Sequence, residues 1–237
     1  MPELTPHYHW VIPEAYPVSA TTIEDAKRRG LSARALRVLT RRGPVDPAEL
    51  ASRFDEPRAG LHNPSLLPDA ATVRERVAAA RRAGESVMVL GDFDADGLTG
   101  LAILTLALRR LGLTVEPYVP DRTGEGHGLS VDAVEHAVSA GHGVIITADT
   151  GSTSTEEIAG ANTAGIDVIV TDHHLPDGDL PPAVALVNPH LAEDPAALGA
   201  PPCGCTLAFK LAWAVADRLR RMQRGDTGER FREFLRD

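Results

Sequence analysis

The spacing of hydrophobic residues in this 237-residue chain changes near residue 85. Before that point the sequence is helical in composition, with Asp46-Pro47 and Asp69 at predicted helix starts and Gly84 at a helix end. Pro64 and Pro68 make the segment around them an extended loop. Helices are expected at residues 23–29, 33–41, 48–54 and 69–82. We predict a small helical lead-in over residues 1–85.

From residue 86 onward, short continuous apolar runs alternate with longer amphipathic segments. The runs predict strands at 87–90, 114–119, 144–147, 168–171 and 184–187. The segments predict helices at 98–111, 130–140, 155–164 and 206–224. This alternation is typical of βαβ units, whose parallel strands are covered on both faces. The fold class is therefore α/β, a doubly wound and mostly parallel sheet flanked by helices, with one domain over residues 86–237.

Composition narrows the classes of protein to consider. Apolar residues make up 43% of the chain and charged residues 24%, as in an ordinary globular protein. The net charge of −9 argues against a domain that binds nucleic acid through its overall charge, because such domains are usually basic. The sequence has no apolar run of about 18 residues and no signal-peptide pattern at its start, so we expect a cytoplasmic protein without membrane contact.

Acidic residues and histidines follow three of the predicted strands. Asp94 and Asp96 follow the first strand, Asp149 follows the third, and His173 follows the fourth. Ligand sites in open parallel sheets lie beyond the carboxyl ends of the strands, so these side chains are expected to converge in one crevice. Asp92, nearest the first strand, is expected to orient the others.

Clustered carboxylates need a positive partner to remain ionised in a shared pocket. An Asp and His ligand set suits Mn²⁺ or Mg²⁺ best, and ligand type alone does not exclude Zn²⁺. Two ions about 3.5–4 Å apart would activate water and stabilise the leaving oxygen of a phosphoester. The residues therefore favour metal-dependent phosphoester hydrolysis.

Three other patterns in the sequence are typical of binding sites. The DxDxDG run beginning at Asp92 resembles the start of an EF-hand loop, but position twelve is Ile103 instead of Glu, and its flanks are a strand and a helix. Cys203-Gly204-Cys205 lacks the paired spacing of a zinc site and is expected to pack beside a turn. Arg122, ahead of Gly124–Gly128, stands either at a backbone nest for phosphate or on a plain loop.

The motifs together resemble the DHH phosphoesterase superfamily and, within it, the bacterial RecJ single-strand-specific DNA exonucleases. The resemblance rests on GDFDADG at 91–97, ADTG at 148–151 and VTDHH at 170–174. It extends to LHNPSLLPD at 61–69, PDR at 120–122, GHGLS at 126–130, LP at 175–176 and VNP at 187–189. About residues 45–220 are covered.

The resemblance implies a Mn²⁺- or Mg²⁺-dependent nuclease that trims single-stranded DNA from the 5′ end in repair and recombination. Asp149 would bridge two ions, Asp94 would bind one, and Asp96 and His173 would bind the other. His174 would steady the scissile phosphate, with Asp172 close to it, as the catalytic residues. Arg122 and His127 would contact phosphate or nucleic acid.

Two departures from the family limit this interpretation. Cys203-Gly204-Cys205 stands in place of a Gly- and Val-rich turn. A further strand with a metal-binding aspartate, and a second domain, are expected after the last helix and do not appear, so the phosphoesterase domain is interpreted as truncated at its C-terminal end. A missing C-terminal domain or a separate chain would then complete the site.

Two alternative functions stay open on the sequence. The acidic charge suits a phosphoesterase for small nucleotides or short oligonucleotides. The missing aspartate suits an inactive relative that serves as a binding or scaffold protein.

Overall fold

The computed structural model describes residues 11–55, 62–194 and 202–222. The chain divides into two compact units, Met1–Leu61 and His62–Asp237. The first contains helices α1 (Ala20–Arg28), α2 (Ala33–Arg42) and α3 (Pro47–Phe54). Each begins at a residue whose side chain accepts a backbone N–H, which satisfies one of the free donors of the first turn. The helices bury a small core of Ala26, Leu36, Val45 and Leu50.

The second unit is a five-stranded sheet with helices on both faces. Its strands are β1 (Ser86–Gly91), β2 (Thr114–Tyr118), β3 (His142–Ala148), β4 (Asp167–Thr171) and β5 (Ala185–Val187). Its helices are α4 (Ala70–Ala83), α5 (Ala95–Arg110), α6 (Val131–Ala140), α7 (Thr155–Thr163) and α8 (Gly204–Met222). All neighbouring strands run parallel, in the order β2-β1-β3-β4-β5. The predicted doubly wound α/β fold is confirmed.

Alternate residues of the central strands enter two separate cores. Val87 and Val89 of β1 point to the face covered by α4, α5 and α8, whereas Met88 and Leu90 point to the face covered by α6 and α7. Strands covered on both sides need apolar residues at every position, which explains their continuous hydrophobic runs.

The strand order places a crevice between β1 and β3. From β1 the chain first moves outward to β2, then crosses back to β3 on the other side of β1. The connection after β1 runs towards β2 and the connection after β3 runs towards β4, in opposite directions, so the loops after β1 and β3 separate at the carboxyl ends of the strands. Ligand sites of open α/β sheets lie at such switch points.

Helix α4 lies in the second unit, although its composition groups it with the helical lead-in. Val73 and Val77 are buried in the core that α8 also enters. Asp69 precedes α4 as expected, but the prediction that its side chain caps the helix was wrong. Its carboxylate Oδ2 accepts the backbone N–H of Leu186 at 2.9 Å, and Asp69 itself has φ 51°. A contact with β5, distant in sequence, replaces the local cap.

The amino ends of the strands carry a cluster of ion pairs around α4. The Arg76 guanidinium lies 2.6 Å from Glu85, just before β1, and 2.5 Å from Asp167, the first residue of β4. It also donates to the carbonyl of Gly143 in β3 at 3.3 Å. Arg76 thereby ties the amino ends of three neighbouring strands to α4.

Among the described residues, no helix has both the length and the apolar character needed to cross a membrane.

Candidate metal centre

The loop after β1 turns directly into helix α5 and carries three aspartates. Asp94 is the N-cap of α5, and its Oδ1 accepts the N–H groups of Asp96 and Gly97 at 2.9 and 2.8 Å. The helix therefore begins at Ala95, three residues before the predicted start. A side chain at Gly97 would place its Cβ 2.4 Å from the Asp92 carbonyl, so only glycine allows this tight turn.

Asp96, in the first turn of α5, is fixed by the amino end of α8. Its Oδ2 accepts the N–H of Gly204 at 2.6 Å, and its Oδ1 accepts the N–H of Cys205 at 2.8 Å. Burial opposes ionisation, but the hydrogen bonds from Cys205 and Gly204 outweigh it and hold the pKa of Asp96 below its usual value. The Asp96 carboxylate is thus charged and immobile.

Asp149 follows β3 and is 1% exposed. Its backbone adopts φ 66°, a left-handed conformation that Asp and Asn tolerate better than most residues. Its N–H donates to the carbonyl of Thr171 at 2.9 Å, which ties the loop to the end of β4. Burial first, and then the charges of Asp96 and Asp94, raise the pKa of Asp149 to about 7.

His173 lies between the two carboxylates. Its Nε2 is 2.9 Å from Oδ1 of Asp149 and 3.6 Å from Oδ2 of Asp96. The Asp149 oxygen is nevertheless buried without a hydrogen-bond partner among the described residues, because the angles do not suit one. An imidazole nitrogen and a carboxylate oxygen that face each other without a hydrogen bond are both available to bind one cation.

Asp172 organises the pair of histidines that follows β4. Its Oδ1 accepts the N–H groups of His173 and His174 at 2.7 and 3.1 Å, and it lies 2.7 Å from Nδ1 of His174. Burial would raise the pKa of Asp172, but hydrogen bonds from His174 and Ser152 lower it. Burial lowers the pKa of His174, and the hydrogen bond to Asp172 outweighs it and raises it. The arrangement orients the His174 ring and favours its protonated form.

Asn188, fully buried after β5, secures this loop from behind. Its side-chain amide donates to Ser152 Oγ at 3.0 Å and to the carbonyl of His174 at 2.8 Å. Its Oδ1 accepts the N–H of His190, whose Nε2 lies 3.1 Å from the carbonyl of His173. One buried amide therefore joins the loops after β3, β4 and β5.

Arg122 and His127 lie beside this loop system, and both are close to the Phe93 ring. The His127 ring is 4.3 Å from the Phe93 ring, and the Arg122 guanidinium is 5.1 Å from it. His127 Nδ1 is 3.4 Å from Oδ2 of the buried Asp92. Asp92 thus lies beside the exposed His127 at the edge of the site. Asp96, Asp149 and His173 meet at its centre.

The residues at the centre fit a divalent cation. Ligand atoms of Asp149, His173 and His174 lie within 4.8 Å of one another. Within the described ranges, no lysine or arginine forms an ion pair with Asp149 or Asp96; His173 is the basic group beside both. Oxygen and imidazole donors suit Mn²⁺ or Mg²⁺, and an ion there would satisfy the free oxygen of Asp149.

A family model decides the membership of this chain. The model described as the DHH family, N-terminal domain, matches residues 86–233. The chain belongs to the DHH family. The family is named after the motif Asp172-His173-His174. This motif lies in the loop that places His173 beside Asp149 and Asp96.

Relatives of this DHH chain are single-stranded-DNA-specific exonucleases. RecJ of Haemophilus influenzae is 37% identical over 173 residues, which are 71% of this chain and 29% of that protein. RecJ of Thermus thermophilus is 41% identical over 166 residues, 70% of this chain and 24% of that protein. The DHH chain therefore spans less than a third of the length of either relative.

Two solved structures share this DHH fold. The structure of exonuclease RecJ bound to manganese matches with a TM-score of 0.60 and 38% identity, over 65% of this chain and 38% of that one. RecJ from Thermus thermophilus in complex with Mn²⁺ matches with a TM-score of 0.59 and 30% identity, over 86% of this chain and 28% of that one. The resemblance inferred from the motifs is confirmed.

The sequence does not predict the role of two features of this DHH site. Gly204 and Cys205, expected only to pack beside a turn, donate both backbone hydrogen bonds that fix Asp96. Asn188 was noted only as part of a family-like segment, yet it holds the histidine loop. A Gly preceding a long helix was the available signal for the first, since helix N-termini attract carboxylates.

Proposed function

We propose that this chain carries the metal-binding core of a phosphodiesterase that acts as a RecJ-like 5′-to-3′ exonuclease on single-stranded DNA, in DNA repair and recombination. The observation that carries the proposal is the convergence of Asp96, Asp149 and His173, with a buried, unpartnered oxygen on Asp149 among the described residues. Family membership and the names of the relatives support the reaction class and the substrate.

Asp96, Asp149 and His173 would hold a divalent cation, with Asp94 close enough to influence the charge on Asp149. Bound Mn²⁺ or Mg²⁺ would activate water and neutralise charge on the phosphodiester. We predict two ions in the complete enzyme: Asp94 would hold one, Asp96 and His173 would hold the other, and Asp149 would be shared by both. The backbone N–H groups of Gly204 and Cys205 keep Asp96 in place while the reaction proceeds.

His174 is assigned to the scissile phosphate. Its Nδ1–H is held by Asp172, so its Nε2 is left free to donate to a phosphate oxygen. The 60% exposure of the His174 side chain leaves room for that contact. Because Asp172 raises the pKa of His174, the protonated and positively charged form of the ring is favoured where negative charge would develop.

Phe93 would contact the substrate at the edge of the site. Arg122 and His127 lie close to its ring and would bind the neighbouring phosphates. Single-stranded nucleic acid is commonly held by bases that stack on aromatic rings and by cationic groups on the backbone. Such local contacts are compatible with a chain of net charge −9.

We further propose that residues outside this chain, in a C-terminal segment or on a separate chain, complete the centre. The relatives are more than three times as long as the part that this chain matches. The complete assembly would then supply remaining ligands and contacts to DNA.

The test measures nucleotide release from 5′-labelled and 3′-labelled single-stranded DNA with Mn²⁺, using the chain and any longer product of its gene. We expect release from the 5′ end, abolished by His173→Gln and preserved in Glu24→Gln, a change at an exposed residue of α1 that takes part in none of the proposed contacts. Faster turnover of dinucleotides than of long strands would assign the site to small nucleotides instead. No release by any form, with Mn²⁺ bound, would favour a binding protein.

A further inference from the structure

A second group of metal-ligating side chains lies on the edge of the sheet, on β2, α6 and β3. We call Glu116, His136 and His142 the edge cluster. Nε2 of His136 is 2.8 Å from one oxygen of Glu116, and Nε2 of His142 is 3.0 Å from the other. Their ligand atoms all lie within 4.8 Å of one another. Two imidazole nitrogens thus converge on a single carboxylate.

His142 is held in a fixed orientation for such a role. Its ring is buried, with its side chain 3% exposed, and Nδ1 lies 2.9 Å from Ser86 Oγ. A hydrogen bond on one ring nitrogen fixes the tautomer and directs the other nitrogen at a ligand, as in most histidine metal sites. Ser86 in β1 is therefore the outer partner that orients His142 towards Glu116.

The other two members can adjust around an ion. His136 on α6 and Glu116 on β2 are 40% and 44% exposed in their side chains. The present nitrogen–oxygen contacts are hydrogen bonds, slightly shorter than the separation of two ligands on one Zn²⁺, which binds nitrogen and oxygen at about 2.0–2.2 Å. Small rotations of these two exposed side chains make room without moving the buried His142.

The edge cluster is separate from the DHH centre. Its hydrogen bonds and ion pairs, as far as the structure describes them, do not involve Asp96, Asp149 or His173, and it includes β2, the edge strand that contributes no residue to that centre. Two imidazoles and one carboxylate are a donor set for a borderline cation, whereas the oxygen-rich DHH centre suits a harder one.

We propose that Glu116, His136 and His142 form a Zn²⁺ site that fastens helix α6 to strands β2 and β3. Water would occupy the fourth position of a tetrahedral ion. The ion replaces the two hydrogen bonds between the imidazoles and Glu116. Because it joins a helix to an edge strand, its binding stabilises the second unit.

The experiment compares Zn²⁺ binding to the whole chain and to single variants by calorimetry and by metal content after dialysis. The DHH centre and the thiols of Cys203 and Cys205 also offer ligands, so the informative quantity is the difference between variants. We expect His136→Ala to retain one Zn²⁺ fewer than the unaltered chain. His62→Ala, which removes an exposed histidine outside the ligand clusters, should retain the same number.

Ser86→Ala provides a graded test, since loss of an outer partner weakens metal binding by about 10–100-fold. We expect that effect at this site alone, together with a rise in melting temperature on adding Zn²⁺ that is smaller in His136→Ala and Glu116→Gln than in the unaltered chain. Equal Zn²⁺ content in His136→Ala and the unaltered chain would overturn the proposal, as would an equal Zn²⁺-induced rise in melting temperature in the unaltered chain and both variants. These differences between variants do not depend on nuclease activity.

Discussion

The two ends of the parallel strands hold acidic residues in opposite surroundings. At the amino ends, Glu85 and Asp167 share the guanidinium of Arg76. At the carboxyl ends, Asp149 is buried, its pKa is raised to about 7, and its Oδ1 has no hydrogen-bond partner among the described residues. In the first arrangement a shared guanidinium offsets part of the negative charge and ties the sheet to α4. The second leaves charge unbalanced, which suits cation binding at a cost in stability.

Asp149→Asn should produce the largest effect and should separate function from stability. Hydrolysis is expected to fall on the order of 10³–10⁴-fold, as when a central catalytic group is removed. Asparagine tolerates the left-handed backbone at φ 66°, so the fold is retained. Without metal, the free energy of unfolding should rise, because a buried charge is removed. Nucleotide release measures the loss of hydrolysis. Chemical denaturation in the presence of a chelator measures the gain in the free energy of unfolding.

That gain in stability should also depend on pH. The folded pKa of Asp149 is about 7, above its value of 3.8 in an unfolded chain. The folded state therefore binds the proton more tightly, and the metal-free protein should lose stability as pH rises from about 4 through about 7. This component should be absent from Asp149→Asn. An unaltered chain as stable at pH 8 as at pH 5, with the same slope as the variant, would contradict the assignment.

Gly204→Ala should have the next largest effect. A Cβ at this position would lie 2.4 Å from Oδ1 of Asp149, so the amino end of α8 must shift. Because Gly204 also donates to Asp96, the shift displaces two ligands, and activity should fall on the order of 10²-fold. Gly160→Ala in α7 is the matched control, since its Cβ meets nothing within 4 Å. Equal Mn²⁺ affinity in the two variants would count against this role for Gly204.

Arg76→Ala should have the smallest effect on chemistry and a clear one on stability. It leaves Glu85 and Asp167 without their shared cation, so the free energy of unfolding should fall by about 1–3 kcal/mol. Mn²⁺ affinity should stay unchanged. Arg53→Ala breaks an exposed ion pair with Glu49 in α3 and should cost less than about 0.5 kcal/mol. Chemical denaturation measures the change in the free energy of unfolding, and titration with Mn²⁺ measures the affinity of the metal centre. Together they separate the structural role of the amino ends of the strands from the role of the carboxyl ends.

The proximity of Asp96, Asp149 and His173 follows from local signals in the sequence. Buried parallel strands require continuous apolar runs, and their last residues mark where the loops that carry Asp94, Asp149 and His173 begin. The switch-point rule then brings these loops together. Motif and topology therefore carried the same information.

The partners in the supporting contacts could not be predicted, since each contact joins residues far apart in the chain. Asp96 and Gly204 are 108 positions apart, and Asp69 and Leu186 are 117 apart. Only folded packing brings Asp69 to β5 instead of to the helix it precedes. The edge cluster could not be predicted for the same reason, because Glu116 forms no sequence motif with His136 or His142.

Calorimetry of Mn²⁺ binding in buffers of different ionisation enthalpy tests the central claim most directly, because it counts the protons released. Metal must displace the proton that the raised pKa leaves on Asp149, so at pH 6 the unaltered chain should release close to one proton more than Asp149→Asn does, a difference that falls towards zero at pH 9. Asp149→Asn should also bind Mn²⁺ far more weakly. Equally tight binding by Asp149→Asn, with unchanged proton release, would contradict the account.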